Sequence, residues 1–264
     1  MIRTLACLLV CSVLVPCRAL HAQDAKAVIQ QAVDTEMRAN REDHSRWRYR
    51  DDERVKQTVS IVVQTDAGAV KRTFLRDGHP LTPAEAKIED DHIQAYIHDP
   101  AALAKARRDS QSDDRSASAF LQMLPSAFSW RIINEVGANI TLHFQPNPNF
   151  HPPDMQARVL GVMAGELVVD KAQHRIVSIR GTLTQDVTIG FGILGRIRQG
   201  GTFDVERREV GPNLWQITET HVHIDGRALF FKTIGQQQDE IQTEFKQVPG
   251  SMSLEEAAEL SKQH

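Results

Sequence analysis

Beyond residue 17 the chain has no cysteine; its three, Cys7, Cys11 and Cys17, all stand near the N-terminus. The remainder can therefore hold no disulfide, no cysteine nucleophile and no thiolate metal site. No stretch after the N-terminal segment is long and apolar enough to span a membrane. Positive charge is not in excess either: the formal net charge is −3, and Arg3 and Arg18 fall in the N-terminal segment, so the rest is more acidic still. That excludes a surface built to displace counterions from a nucleic acid. A G-x-S-x-G serine elbow and a Walker phosphate loop are also missing, and spacing alone pairs no two carboxylates for acid–base work.

What is present begins with a leader-like segment. Met1-Ile2-Arg3-Thr4 is followed by an apolar run from Leu5 to Val15, then Pro16 and a short polar stretch. This order matches a signal peptide, with the cut expected after Ala22 and Ala19 as the second choice. Lipidation at Cys17 would require a small residue where Pro16 stands. The expectation is a leader over residues 1–22, an exported or periplasmic protein, and one domain over 23–264. With 41% hydrophobic and 25% charged residues, the chain has the composition of an ordinary globular protein.

Periodicity divides that domain. Gln23 to Arg41 reads as an amphipathic helix through Ala27, Val28, Ala32, Val33 and Met37. Trp47 and Tyr49 share a face at strand spacing. Val55, Val59, Ile61 and Val63 alternate, and Asp66-Ala67-Gly68 turns the chain into a hairpin with Val70 to Leu75. Thr82, Pro83 and Glu85 form a capping box with proline at the first helical position, which starts a helix to about His98. Asp99-Pro100 starts a second helix through Arg108. Asp109 to Ser118 is polar and expected to be loose, and Ala119 to Leu124 returns to a helical turn. The helical insertion thus covers about 83–124.

From Phe128 the period becomes two. A hairpin is expected around Gly137-Ala138-Asn139, a proline-rich loop over 147–153, and a short helix capped by Asp154. Strands follow at Glu166–Val169, Arg175–Ile189, Arg196–Arg208, Leu214–Ile224 and Leu229–Phe245. Short connections between alternating strands predict an antiparallel meander. Ser253 and Glu256 cap a last helix, Leu254 to Lys262.

Two motifs invite chemistry. Gly190-Phe191-Gly192-Ile193-Leu194-Gly195 matches G-x-G-x-x-G, but a dinucleotide site needs a helix next. Here Gly200-Gly201 follows and alternation resumes at Phe203, so the glycines are read as permitting bulges or a bend between strands. At least two of Gly190, Gly192, Gly195, Gly200 and Gly201 are expected at positive φ, bulges or turns. The second motif, His221-Val222-His223-Ile224-Asp225, puts three ligand-type side chains on one strand face. It resembles part of the metallo-β-lactamase H-x-H-x-D-H set, with Gly226 where the last histidine belongs. His143, His151 and Asp154 are looser candidates.

The order of parts resembles the LolA/LolB-type lipoprotein-carrier fold: a leader, an N-terminal helix, a hairpin, inserted helices, then a long meander. Blocks such as Arg76-Asp77-Gly78-His79-Pro80-Leu81-Thr82-Pro83-Ala84-Glu85 and Gly200-Gly201-Thr202-Phe203 carry a resemblance to exported bacterial proteins of that kind, as does Asp225-Gly226-Arg227-Ala228-Leu229-Phe230-Phe231-Lys232-Thr233-Ile234. The resemblance implies an α+β fold: a large curved antiparallel sheet, an incomplete β-barrel, with helices packed on its concave side. It further implies a cavity for acyl chains. Trp130, Phe144, Phe191, Ile193, Leu194, Phe203, Trp215 and Phe230 are the expected lining. The expected function is non-enzymatic binding of an apolar ligand, a lipid or lipoprotein acyl chains, with no cofactor. The alternatives are an exported metal-dependent hydrolase using His221, His223 and Asp225, or a structural protein of the cell envelope.

Overall fold

The computed structural model describes residues 17–154, 157–189, 195–224 and 237–263. In chain order these form α1 (Cys17–Glu42), β1 (Arg46–Glu53), β2 (Thr58–Thr65), β3 (Gly68–Arg76), β4 (His79–Pro80), α2 (Pro83–Ile97), α3 (Pro100–Ala127), β5 (Phe128–Val136) and β6 (Asn139–Pro146). A 3₁₀ turn over Ala157–Val162 leads into β7 (Met163–Asp170), β8 (Ile176–Leu183), β9 (Val187–Ile189), β10 (Gly195–Ile197), β11 (Thr202–Gly211), β12 (Leu214–His223), β13 (Gln237–Val248) and α4 (Leu254–Leu260). Eleven strands make one antiparallel sheet in the order β4-β3-β2-β1-β13-β12-β11-β8-β7-β6-β5, and β9 and β10 pair separately. The sheet does not close: β4 and β5 are its two edges. The fold is α+β, an open antiparallel sheet with a few helices, as the alternation predicts. The leader assignment falls largely on residues outside those described; α1 begins at Cys17.

Cross-strand partners point to the same face, so register assigns every side chain a side. Trp130, Phe144, Gly165, Gly181, Phe203, Val222 and Gln238 are successive partners across seven strands. They define the inner face. Against it pack α1 and the end of α3, giving a core of Ile29, Val33, Leu124, Phe128, Phe144, Leu167 and Val222. Following the inner face along β13 leads through Glu240 to Gln242, opposite Asp51, opposite Ser60. Ile61, Val63 and Val70 therefore belong to the outer face. There they pack with Ile93 and Ile97 of α2 and Leu254, Ala257 and Ala258 of α4. Helices on one side describe only half of the arrangement: α1 and α3 cover one face at one end, α2 and α4 the other face at the opposite end.

Local signals placed the elements well where caps exist. Thr82 accepts from Glu85 N and Glu85 returns a bond to Thr82 N, closing the capping box of α2. Ser253 and Glu256 do the same for α4. Asp154 Oδ1 accepts from Ala157 N at 2.7 Å, although the turn it starts is 3₁₀ rather than α. Residues 109–118 are not loose: α3 runs unbroken over 28 residues. It is anchored by Leu103 at one end and by Phe120, Leu121 and Leu124 at the other, and a helix propagates more easily than it restarts. Val55 is half exposed rather than inward-facing. The long strand expected over 175–189 is β8 and β9, split at 184–186, and the one expected from Arg196 is β10 and β11, split by a turn.

Of the five glycines, Gly190 and Gly192 lie outside the described residues. Gly200 has φ +86° in the turn between β10 and β11, Gly195 starts β10, and Gly201 is buried with Leu183 Cδ1 3.2 Å from where a Cβ would stand. Among the described residues, then, only Gly200 meets the expectation of positive φ or a turn. No helix follows Gly195: residues 195–197 pair antiparallel with β9.

Candidate functional site

The expected cavity lining separates into three groups. Trp130 and Phe144 come together, but as core. Phe128, Trp130 and Phe144 form a ring cluster with centroids 4.8 to 5.8 Å apart, and Trp130 Nε1 donates to Leu124 O at 3.1 Å. Phe203 is half-buried on the same inner face, its ring over Gly181. Trp215 sits apart, donating to Gln173 Oε1 at 2.8 Å beneath the Arg175 guanidinium, 5.9 Å from its ring centre. Phe191, Ile193, Leu194 and Phe230 lie outside the described residues.

Around the core runs a seam of half-buried apolar side chains: Val28 and Met37 from α1, Phe120, Leu121 and Met123 from α3, and Ile132 and Ile140 from β5 and β6. Beyond them Ile133 is 42% exposed and Val136 67% exposed on edge strand β5. These side chains stand where the helical cover of α1 and α3 meets the sheet edge.

Two of the histidine candidates, His143 and His221, come together on the outer face. Arg131, His143, Glu166, Arg180, Asp204, His221 and Asp239 are successive cross-strand partners, a row in which cationic or basic and anionic groups largely alternate. Its middle lines a shallow groove of about 660 Å³ that also touches Gly165, Gly181, Thr182 and Thr202. Sequence spacing gave no hint that His143 and His221 share one groove. The ring of His221 is engaged: Nδ1 lies 2.8 Å from Asp239 Oδ1 and Nε2 3.6 Å from Glu219 Oε2. His223 is exposed two residues on, and Asp225 lies outside the described residues. His151 is exposed, its Nδ1 2.9 Å from Asn149 O.

A second polar group was not anticipated. On the inner face, where β1 meets β13, Asp51, Glu53 and Glu240 bring carboxylate oxygens within 4.8 Å of one another. Lys71 of β3 donates to Asp51 Oδ2 at 2.5 Å and also to Glu53. Glu240 is held by Gln238 Nε2 at 2.6 Å and Gln242 Nε2 at 3.1 Å. Burial first, then the Glu240 carboxylate, push Asp51 up to about 7 against the pull of Lys71. Burial also opposes charge on Glu240, but its bonds to Asp51, Gln238 and Gln242 and the nearby Lys71 hold it below the usual range. The pair divides the roles, one oxygen acid protonated near neutrality and the other charged. The signal was legible in principle: Trp47 and Tyr49 share a strand face, and the same period continues to Asp51 and Glu53.

A third buried group fixes α1. Glu36, 1% exposed, bonds Arg175 Nε at 3.1 Å, Arg175 Nη2 at 3.0 Å and Ile176 N at 2.8 Å, with Arg207 Nη1 2.6 Å away. This is a fully bonded buried ion group joining the helix to β8 and β11.

Comparison of the chain with family models, curated proteins and solved structures finds no match. No helix among the described residues is long and apolar enough to cross a membrane.

Proposed function

We propose that the protein is an exported or periplasmic, non-enzymatic binding protein that takes an apolar ligand, a lipid or the acyl chains of a lipoprotein. The observation that carries this reading is the seam of Val28, Met37, Phe120, Leu121, Met123, Ile132 and Ile140 between the α1–α3 cover and the sheet edge. Methionine is unbranched and adapts to irregular apolar partners, and Met37 and Met123 stand on the two helices that would part to admit a chain. An open sheet permits such parting, because β5 is an edge of the sheet among the described residues. The ligand route is thus the seam rather than Trp130 and Phe144, which fill the core.

The test is extraction and mass spectrometry of lipid from protein purified without detergent, beside native mass spectrometry of the intact chain. A stoichiometric lipid adduct is expected. An adduct-free protein that also takes up no added fatty acid contradicts the reading.

A further inference from the structure

The outer-face groove of about 660 Å³ is walled on one side by His143, Glu166, Arg180, Asp204 and His221. Short side chains, Ala164, Thr182 and Thr202, stand two residues along their strands and wall the other side, with Gly165 and Gly181 in the floor between. Asp204 sits between two donors, opposite Arg180 on β8 and opposite His221 on β12. Neither satisfies its Oδ1. His221 turns Nδ1 to Asp239 Oδ1 at 2.8 Å, and Arg180 Nε leans toward Glu166 Oε2, 3.8 Å away. Asp204 Oδ1 is left buried and without a hydrogen-bonding partner among the described residues. A buried acceptor so placed costs stability until something donates to it. The Arg180 and Glu166 side chains are 54% and 42% exposed, and an ion pair that long and that wet holds little energy. The guanidinium is therefore free to turn to a better partner.

We propose that this groove binds a free α-amino acid by its zwitterionic head, the α-ammonium donating to Asp204 and the α-carboxylate accepting from the Arg180 guanidinium. Directly opposed residues on antiparallel strands have Cβ atoms about 5 Å apart. A ligand that answers both must carry its two charges close together, as an α-amino acid does on a single carbon. A guanidinium takes a carboxylate through two parallel N–H bonds, which fixes the head in one orientation. A ligand with one charge alone gains one partner and meets a like charge beside it, because Arg180 and Asp204 adjoin. The small residues of the far wall and floor leave the room a side chain needs, and the volume is that of a small-molecule site. The groove opens on the face opposite the apolar seam, so the two sites stand or fall separately.

The experiment titrates the full nitrogen-15-labelled chain with L-leucine and with L-serine, following the backbone amide signals of Gly165 and Gly181. Saturable shifts at both glycines are expected at roughly millimolar ligand. L-leucine amide, which lacks the carboxylate, and N-acetyl-L-leucine, which lacks the ammonium, should each bind at least about tenfold more weakly than L-leucine. Asp204→Asn and Arg180→Gln should each weaken L-leucine binding by a similar factor. Arg131→Gln, in the same row but outside the groove, should leave it unchanged. Because the blocked ligands are compared on the wild type, a variant that fails to fold does not decide the matter. No saturable shift at the two glycines with either amino acid overturns the proposal. So does equal binding of L-leucine and its two blocked forms, or binding unchanged in both folded groove variants.

Discussion

Gly165 lies directly opposite Gly181 in the β7–β8 ladder, and the ring of Phe203 closes over Gly181. A Cβ at Gly181 would stand 2.4 Å from Ala164 O and 2.9 Å from Phe203 Cζ; one at Gly165 would stand 2.0 Å from Arg180 O. The two strands approach here as only glycine allows. Gly181→Ala should therefore destabilise the protein by about 1–3 kcal/mol, read as a lower urea midpoint. Gly137→Ala is the control for steric crowding, because nothing lies within 4 Å of the added carbon; it sits at φ +56°, so its cost is backbone strain alone and should be the smaller.

Glu36→Gln removes the charge that Arg175 and Arg207 surround and should cost about 3–5 kcal/mol. Burial opposes the charged form of Glu36, but Arg207 and Arg175 outweigh it and hold the acid below its ordinary value. An acid depressed in the folded state contributes stability that is present above its unfolded pKa and lost as pH falls through the folded one. The gap between wild type and Glu36→Gln, measured by denaturant unfolding, should thus be full at pH 7 and shrink under acid conditions. A gap that stays constant with pH would contradict the ion-pair account.

Trp130→Ala should cost about 3–5 kcal/mol and leave ligand uptake, measured per folded molecule, unchanged. Trp130 is 6% exposed and its indole is bonded to Leu124 O, so it supports the core. Trp130→Phe keeps a ring against Phe128 and Phe144 but leaves the carbonyl bond unmade, and should fall between the two. Chemical unfolding gives the stabilities, and fatty-acid titration the uptake.

Caps and alternation made the fold class readable. Thr82 with Glu85, Ser253 with Glu256 and the Asp66–Gly68 turn each act within a few residues, and each stands where the sequence puts it. The polar middle of α3 was not readable, because its helicity depends on Leu103 and Leu124 packing at its two ends. The glycine-rich run drew attention to residues 190–201, whereas the close strand approach lies at Gly165 and Gly181, isolated glycines whose partnership exists only once register is known. The same holds for the candidate sites. His143 with His221, and Asp51 with Glu240, are remote in the chain and are brought near by pairing. Trp130 and Phe144 were identified as inward-facing, but alternation cannot distinguish a filled face from one lining a cavity.

The central claim is that an apolar chain enters at the α1–α3 seam. Titration with a fluorescent fatty acid tests it most directly, comparing wild type with Met37→Glu and Phe120→Glu, two half-buried seam positions. Saturable binding in the wild type, weakened in both folded variants and retained in Ile88→Glu, an exposed position of α2, is the predicted result. No saturable binding in the wild type, or equal binding in all four proteins, would contradict it.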